Sequence, residues 1–156
     1  MLLTEFDANR QAIINPEDLN EPLEGFPKIA VSCFSRSTFQ RMLEMFPHEL
    51  IYETSMANVA IPIYKLVIDE QELALFNAPV GASACVAILE DIFALGTDKL
   101  VLFGTCGVLD EDIKETSIII PSHALRDEGT SFHYVEASNE IAVNVGVLDC
   151  FRSYLN

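Results

Sequence analysis

The sequence predicts an α/β fold in a single domain over residues 1–156, and three observations favour this class. Short apolar runs rich in β-branched residues alternate with stretches of helical periodicity. The segment 72–103 has the pattern of strand, loop, helix and strand, which is the connection that makes strands parallel. Half of the residues are hydrophobic, and a chain of 156 residues with this composition can build a substantial core.

The first half of the chain contains patterns for a strand, a helix and a hairpin. The expected elements are a strand at 28–33, a helix through 41–46, and hairpin strands at 61–68 and 72–77. Ser35 and Ser37 are alternative N-caps of the helix, because a hydroxyl at that position accepts a backbone hydrogen bond. The polar residues Asp69, Glu70 and Gln71 between two β-rich runs are typical of a hairpin turn.

The second half continues the alternation. The expected elements are a helix at 84–95, a strand at 100–103, extended runs at 117–121 and 124–126, and a helix at 139–155. Gly96 marks the end of the first of these helices. In the last helix, apolar residues at positions 141, 145, 148 and 155 fall on one face.

Composition excludes several classes of function. The formal net charge of −15 excludes sequence-independent binding to nucleic acid or to an anionic membrane, since both require clustered Lys and Arg. No apolar stretch is long enough to span a bilayer, and the chain does not begin like a signal peptide, so a cytoplasmic location is expected. The four cysteines are far apart and form no C-x-x-C pair, which favours a reduced interior without metal.

A tight turn follows the apolar run 100–103. Gly104, Thr105, Cys106 and Gly107 place small residues and a hydroxyl where a buried strand ends. Successive backbone N–H groups in such a turn form a concavity that attracts phosphate or hydroxyl oxygens. The turn is therefore a candidate site for an anion or a sugar, and an ordinary strand-to-loop turn is the alternative.

Three ordered motifs mark the middle of the chain. They are Val80-Gly81-Ala82-Ser83 before a long helix, Phe103-Gly104-Thr105-Cys106-Gly107 after the next strand, and Arg126-Asp127-Glu128-Gly129-Thr130-Ser131-Phe132-His133-Tyr134. In this order and spacing they resemble the purine and uridine nucleoside phosphorylase family. The resemblance is specific over residues 77–135, and a looser likeness covers residues 14–19.

The resemblance implies both a fold and a reaction. The implied fold is a phosphorylase-like three-layer sandwich with a mixed central β-sheet flanked by helices, its C-terminal part missing. The implied reaction is phosphorolysis of the N-glycosidic bond of a nucleoside to free base and ribose 1-phosphate. Inorganic phosphate would be the co-substrate with no further cofactor, and the implied assembly is a homo-oligomer, a dimer or a hexamer.

The resemblance also assigns roles to individual residues. Thr105 matches the hydroxyl that contacts phosphate and ribose, and Arg36 is a candidate for the phosphate-binding arginine. Cys106 and Gly107 match positions whose backbone lines the base pocket, and Gly81 matches a loop glycine near the same site.

The roles of three side chains stay open. Arg126 and His133 are candidates for a pocket or a subunit contact, and Arg126 is expected to pair with Asp127 and Glu128 and so position their loop. Cys106 is expected to be a pocket-lining or buried thiol rather than a nucleophile, because no sequence feature supplies a base.

Departures from the family pattern keep alternatives open. Leu102 stands where the phosphorylases carry an arginine, which favours a nucleosidase that uses water on the same fold. The segment that holds the ribose and reads the base in the family would follow Asn156. The main expectation is therefore a phosphorylase by descent that is catalytically incomplete as this chain stands. The nucleosidase is one alternative, and a non-catalytic, oligomer-forming remnant is the other.

Overall fold

The computed structural model describes residues 4–114 and 117–155; Met1, Leu2, Leu3, Glu115, Thr116 and Asn156 lie outside the described residues. The backbone divides into two compact units, one of residues 11–105 and one of the described parts of 1–10 and 106–156. The single domain over residues 1–156 stays a prediction.

The first unit is built around a mixed sheet. Across residues 11–105, all of which are described, the elements are α1 (Pro16–Leu19), β1 (Ile29–Cys33), α2 (Arg36–Met45), β2 (His48–Met56), β3 (Val59–Ile68), β4 (Gln71–Asn77), α3 (Ala82–Ala94) and β5 (Lys99–Phe103). The strand order is β2-β3-β4-β1-β5. β1 is parallel to β4 and β5, whereas β3 is antiparallel to both β2 and β4. The predicted α/β class with a mixed central sheet is thus confirmed.

Local signals explain where these elements begin and turn. Ser35 is the N-cap of α2, because its hydroxyl accepts a hydrogen bond from the Thr38 N–H at 3.2 Å. Asp69 and Glu70 both have positive φ angles, 47° and 65°, as a type I′ turn between β3 and β4 requires. The strand β2 was not predicted, since most of its residues are exposed and it has no alternating buried pattern.

Helices cover the two faces of this sheet. On one face, Ile88 and Ile92 of α3 pack with Ala30, Ile63 and Phe76 in a buried cluster. Alternate residues of the same strands point the other way, as strand geometry requires, and there Phe39 of α2 packs with Cys33, Leu66 and Leu75. The first unit therefore has three layers, with α2 and α3 on opposite sides of the sheet.

The second unit contains a small antiparallel ribbon and a helix. Its elements in the described residues are β6 (His123–Leu125), a 3₁₀ helix (Thr130–His133), β7 (Glu140–Ala142) and α4 (Val145–Leu155). β6 and β7 pair with each other, with Leu125 opposite Glu140. Within residues 4–114 and 117–155, no helix has the length and apolar character that crossing a bilayer requires.

Two sequence predictions in this unit are wrong. Residues 117–121 form no strand, because a β-rich run becomes a strand only where a partner strand pairs with it, and Ile118 is 72% exposed. The last helix begins at Val145 rather than at Asn139. The Asn144 side chain accepts a hydrogen bond from the Val147 N–H at 3.2 Å and so starts the helix, while residues 140–142 pair with β6.

Candidate functional site

The carboxyl ends of β4, β1 and β5 lie side by side at one edge of the sheet. Cys33, the last residue of β1, is in register with Asn77 at the end of β4 and with Phe103 at the end of β5. The chain leaves β1 toward α2 on one face and leaves β4 toward α3 on the other. Open α/β sheets bind ligands in the crevice outside such strand ends.

The exit from β1 carries Arg36. This arginine is the first residue of α2, follows the N-cap Ser35, and is exposed. The first turn of α2 contains no acidic residue, so nothing there offsets the partial positive charge of the helix N-terminus. The predicted phosphate-binding arginine therefore lies at an end of the sheet where a negative charge is favoured.

The exit from β4 is fixed to β1 by two side chains. The Ala78 N–H donates to the Ser32 hydroxyl at 3.0 Å, and the Asn77 amide donates to the Cys33 carbonyl oxygen at 2.5 Å. Ser32 is 0% exposed and Ala78 3% exposed, so water does not compete for the first of these bonds. The loop that leads to α3 therefore leaves the sheet at a defined place.

Gly81 ends this loop as the N-cap of α3. Its φ of 114° and ψ of 135° are strained for any residue with a side chain. No side chain caps α3, and its first turn contains no acidic residue. A second helix N-terminus that favours negative charge thus lies at the same edge as Arg36.

The exit from β5 carries Gly104 and Thr105, both exposed. The ring of Phe34, the first residue after β1, lies against Gly104. Strand pairing therefore brings three of the predicted site residues, Arg36, Gly81 and Thr105, to one edge of the first unit.

The other predicted site residues belong to the second unit. Cys106 and Gly107 follow Thr105 in the chain, and both are exposed. The buried-thiol alternative for Cys106 is therefore wrong. Cys33 and Cys85 are the buried thiols, and burial raises the pKa of each because it disfavours the thiolate.

Arg126 holds the loop that follows β6. The side chain is only 6% exposed, and its guanidinium lies 4.2 Å from the centre of the Phe132 ring. The hydrogen-bond acceptors are the hydroxyls of Ser131 (2.9 Å) and Ser138 (2.8 Å) and the carbonyl oxygens of Glu136 (2.6 Å) and Val135 (3.3 Å). The hydrogen bonds of Arg126 therefore go to neutral groups and not to the carboxylates of Asp127 and Glu128. The expected direct ion pair is replaced by a weaker attraction to Glu128, and the loop is positioned by Arg126 as expected.

Glu128 acts on the same loop through Ser131. Its carboxylate accepts hydrogen bonds from the Ser131 hydroxyl and from the Ser131 N–H, the latter at 3.0 Å. These bonds lower the pKa of Glu128, with the charge of Arg126 as a smaller cause. Arg126 also lines an open concavity of about 400 Å³ within this unit, together with Phe132 and Ser138. His133 is exposed at the end of the 3₁₀ helix, and its role stays a prediction.

Sequence reasoning missed Ser32, Phe34 and Asn77 as residues that shape the edge. Each lies at or next to the end of a strand that had been located correctly. A polar residue inside an apolar strand, as at Ser32, is a signal for a buried hydrogen bond. Residues 34 and 104 are 70 apart, so only the strand register reveals the contact between them.

Comparison with known proteins gives the family context. Residues 28–155 match a family model described as the phosphorylase superfamily. A guanosine phosphorylase from Halorubrum lacusprofundi is 27% identical over 74 residues, which are 46% of this chain and 31% of that protein. The chain therefore spans about a third of the length of this curated relative.

Solved structures share the fold. The uridine phosphorylase from Vibrio fischeri has a TM-score of 0.73 at 17% identity, over 93% of this chain and 59% of that one. The purine nucleoside phosphorylase from Toxoplasma gondii, in complex with immucillin-H, has a TM-score of 0.67 at 14% identity, over 94% and 57%. The futalosine hydrolase of Helicobacter pylori has a TM-score of 0.62 at 18% identity, over 82% and 57%. The chain thus spans less than two thirds of each of these solved chains.

Proposed function

Because the chain belongs to the phosphorylase superfamily, we propose that it is a pentosyltransferase that binds a nucleoside and inorganic phosphate at the carboxyl edge of its sheet. The observation that carries the proposal is the register of β4, β1 and β5, which brings Arg36, Gly81 and Thr105 to that edge. The sequence motifs indicated a resemblance to the purine and uridine phosphorylases, and that resemblance is confirmed.

The proposed reaction exchanges one bond at the ribose for another. A phosphate oxygen attacks C1′, the N-glycosidic bond breaks, and the base leaves with its bonding electron pair and takes up a proton. Positive charge develops on the ribose, so a phosphate dianion held beside C1′ both attacks and stabilises that charge. The Arg36 guanidinium, the Thr105 hydroxyl and the helix N-termini are the groups proposed to hold it.

Cys106 and Gly107 are proposed to line the base pocket, and His133 and Arg126 to serve a pocket or a subunit contact. Phosphate is proposed as the co-substrate with no further cofactor. A cytoplasmic location is also proposed, and the free state of all four cysteines supports it. Self-association into a dimer or a hexamer completes the proposal, supported by large apolar side chains left exposed on β5, Leu102 at 44% and Phe103 at 55%.

Hydrolysis is the second candidate, and one observation favours it. Leu102 leaves an apolar side chain, 44% exposed, two residues before Gly104, where a cation would assist phosphate binding. Water as the nucleophile requires no such cation. A futalosine hydrolase with the same fold accompanies the phosphorylases among the solved relatives.

The test incubates the whole chain with uridine, inosine, guanosine and adenosine, each with and without phosphate, and separates the products by chromatography. Base release that requires phosphate and yields ribose 1-phosphate supports phosphorolysis, whereas equal release without phosphate supports hydrolysis. If the folded protein releases no base under either condition, both phosphorolysis and hydrolysis are contradicted, and the non-catalytic remnant is the interpretation that stays.

Two variants test the proposed phosphate ligands. Arg36→Gln removes one charge-assisted hydrogen bond and is expected to raise the KM for phosphate by roughly tenfold or more. Thr105→Val removes the hydroxyl and keeps the shape of the side chain. Arg41→Gln, on the exposed side of the same helix, is the matched control and is expected to leave the KM unchanged.

A further inference from the structure

The ring of Phe34 lies against the turn that follows β5. Its Cδ2 atom is 3.1 Å, and its Cε2 atom 3.8 Å, from the position that a Cβ atom at Gly104 would take. A methyl group at position 104 would press on the ring. The absence of a side chain at Gly104 therefore lets an aromatic ring rest directly on the backbone of the turn.

Core packing does not account for this ring. Phe34 is outside both buried clusters of the sheet and is 37% exposed. Isolated exposed apolar residues are common on protein surfaces. Phe34 differs in its location, because it touches the turn that carries Thr105 and directly precedes Ser35 and Arg36 at the start of α2.

We propose that Phe34 forms an aromatic wall of the nucleoside site, against which the planar face of the base packs. The inference rests on the proposed function. A phenyl ring has no hydrogen-bonding group with which to hold a phosphate or a ribose hydroxyl, but it offers a face on which any nucleobase can stack. Arg36 and Thr105 beside it supply the polar groups for the anion and the sugar, so the edge combines the two kinds of surface that a nucleoside requires.

This wall has a consequence for specificity. Stacking on an aromatic ring tolerates every base, because each has a π-face. Phe34 is therefore expected to favour nucleosides over free ribose or ribose phosphates, and not to separate purines from pyrimidines. Selection between bases then falls to other residues.

The test measures the dissociation constants of inosine and uridine by calorimetry, without phosphate, for the whole chain and for Phe34→Ala, Phe34→Leu and Phe34→Tyr. The alanine and leucine variants are expected to raise the dissociation constants of both nucleosides by roughly tenfold. The tyrosine variant is expected to keep them within about twofold of the wild-type values. Phe93→Leu is the matched control, since Phe93 is an exposed phenylalanine on α3 (46%) away from the strand ends.

The outcomes separate this inference from the proposed function. Nucleoside binding by the wild type with equal affinity in Phe34→Leu overturns the wall and leaves the proposed function in place. If the folded wild type binds neither nucleoside, both the aromatic wall and the proposed function are overturned. Thermal unfolding of each variant shows whether it is folded. Phe34→Leu keeps an apolar side chain beside Gly104 but removes the aromatic face, so a loss of affinity in that variant supports stacking rather than packing.

Discussion

Replacing Ser32 by alanine tests whether a single buried hydroxyl fixes the exit of β4. The Ser32 hydroxyl accepts the Ala78 N–H at 3.0 Å, and the two residues are 0% and 3% exposed. In Ser32→Ala the N–H group stays buried without an acceptor, and a buried donor of this kind costs about 1–3 kcal/mol. Because water has no access to either residue, we expect a loss of about 2 kcal/mol in the free energy of unfolding.

That loss corresponds to a fall of roughly 4–8 °C in the unfolding temperature of a chain of this length. Urea denaturation is the assay, and the midpoint is expected to fall while the slope stays unchanged, because the unfolded chain exposes the same surface. Ser55→Ala, at an exposed position of β2, is the matched strand control and is expected to change the free energy by less than about 0.5 kcal/mol. A loss in Ser32→Ala no larger than that of the control would refute the reasoning.

Three further predictions concern other parts of the chain. Arg126→Met removes the four hydrogen bonds that the guanidinium donates to the loop after β6 and leaves those between Glu128 and Ser131. We expect faster amide hydrogen exchange across residues 126–139 and a loss of about 2–4 kcal/mol in the free energy of unfolding, with Arg152→Met on α4 as the exposed control. The pKa of Glu128 is lower in the folded chain than in the unfolded one, so its contribution to stability is present above the ordinary carboxyl pKa and is lost as the pH falls through the folded pKa. Urea midpoints measured between about pH 2 and pH 5 should therefore depend less on pH in Glu128→Gln, and an unchanged dependence would contradict the role of Ser131. Gly96 has a φ of 123°, and Gly96→Ala is expected to cost about 1–3 kcal/mol in thermal unfolding, whereas Gly107→Ala, with no atom within 4 Å of the new methyl, should cost little.

The parts of the fold that were predicted from the sequence have strong local signals. The strand that ends at Cys33, the cap at Ser35 and the turn at Asp69 and Glu70 each depend on neighbouring residues, and each was located to within a few positions. β2 and β7 depend on a partner strand instead. The apolar residues near positions 140–142 fit a helical periodicity, but these residues pair with β6 and form a strand instead. Tertiary pairing here overrides the local preference.

The candidate site depends on strand register more than on any one side chain. Arg36, Gly81 and Thr105 follow three different strands, and they share one edge because Cys33 is paired with both Asn77 and Phe103. A slip of β1 by one residue would turn each of Ser32 and Cys33 to the face opposite its present one. It would also break the bond to Ala78 and move Phe34 away from Gly104. The buried hydroxyl of Ser32 and the missing side chain of Gly104 therefore act together, since both favour the one register that assembles the edge.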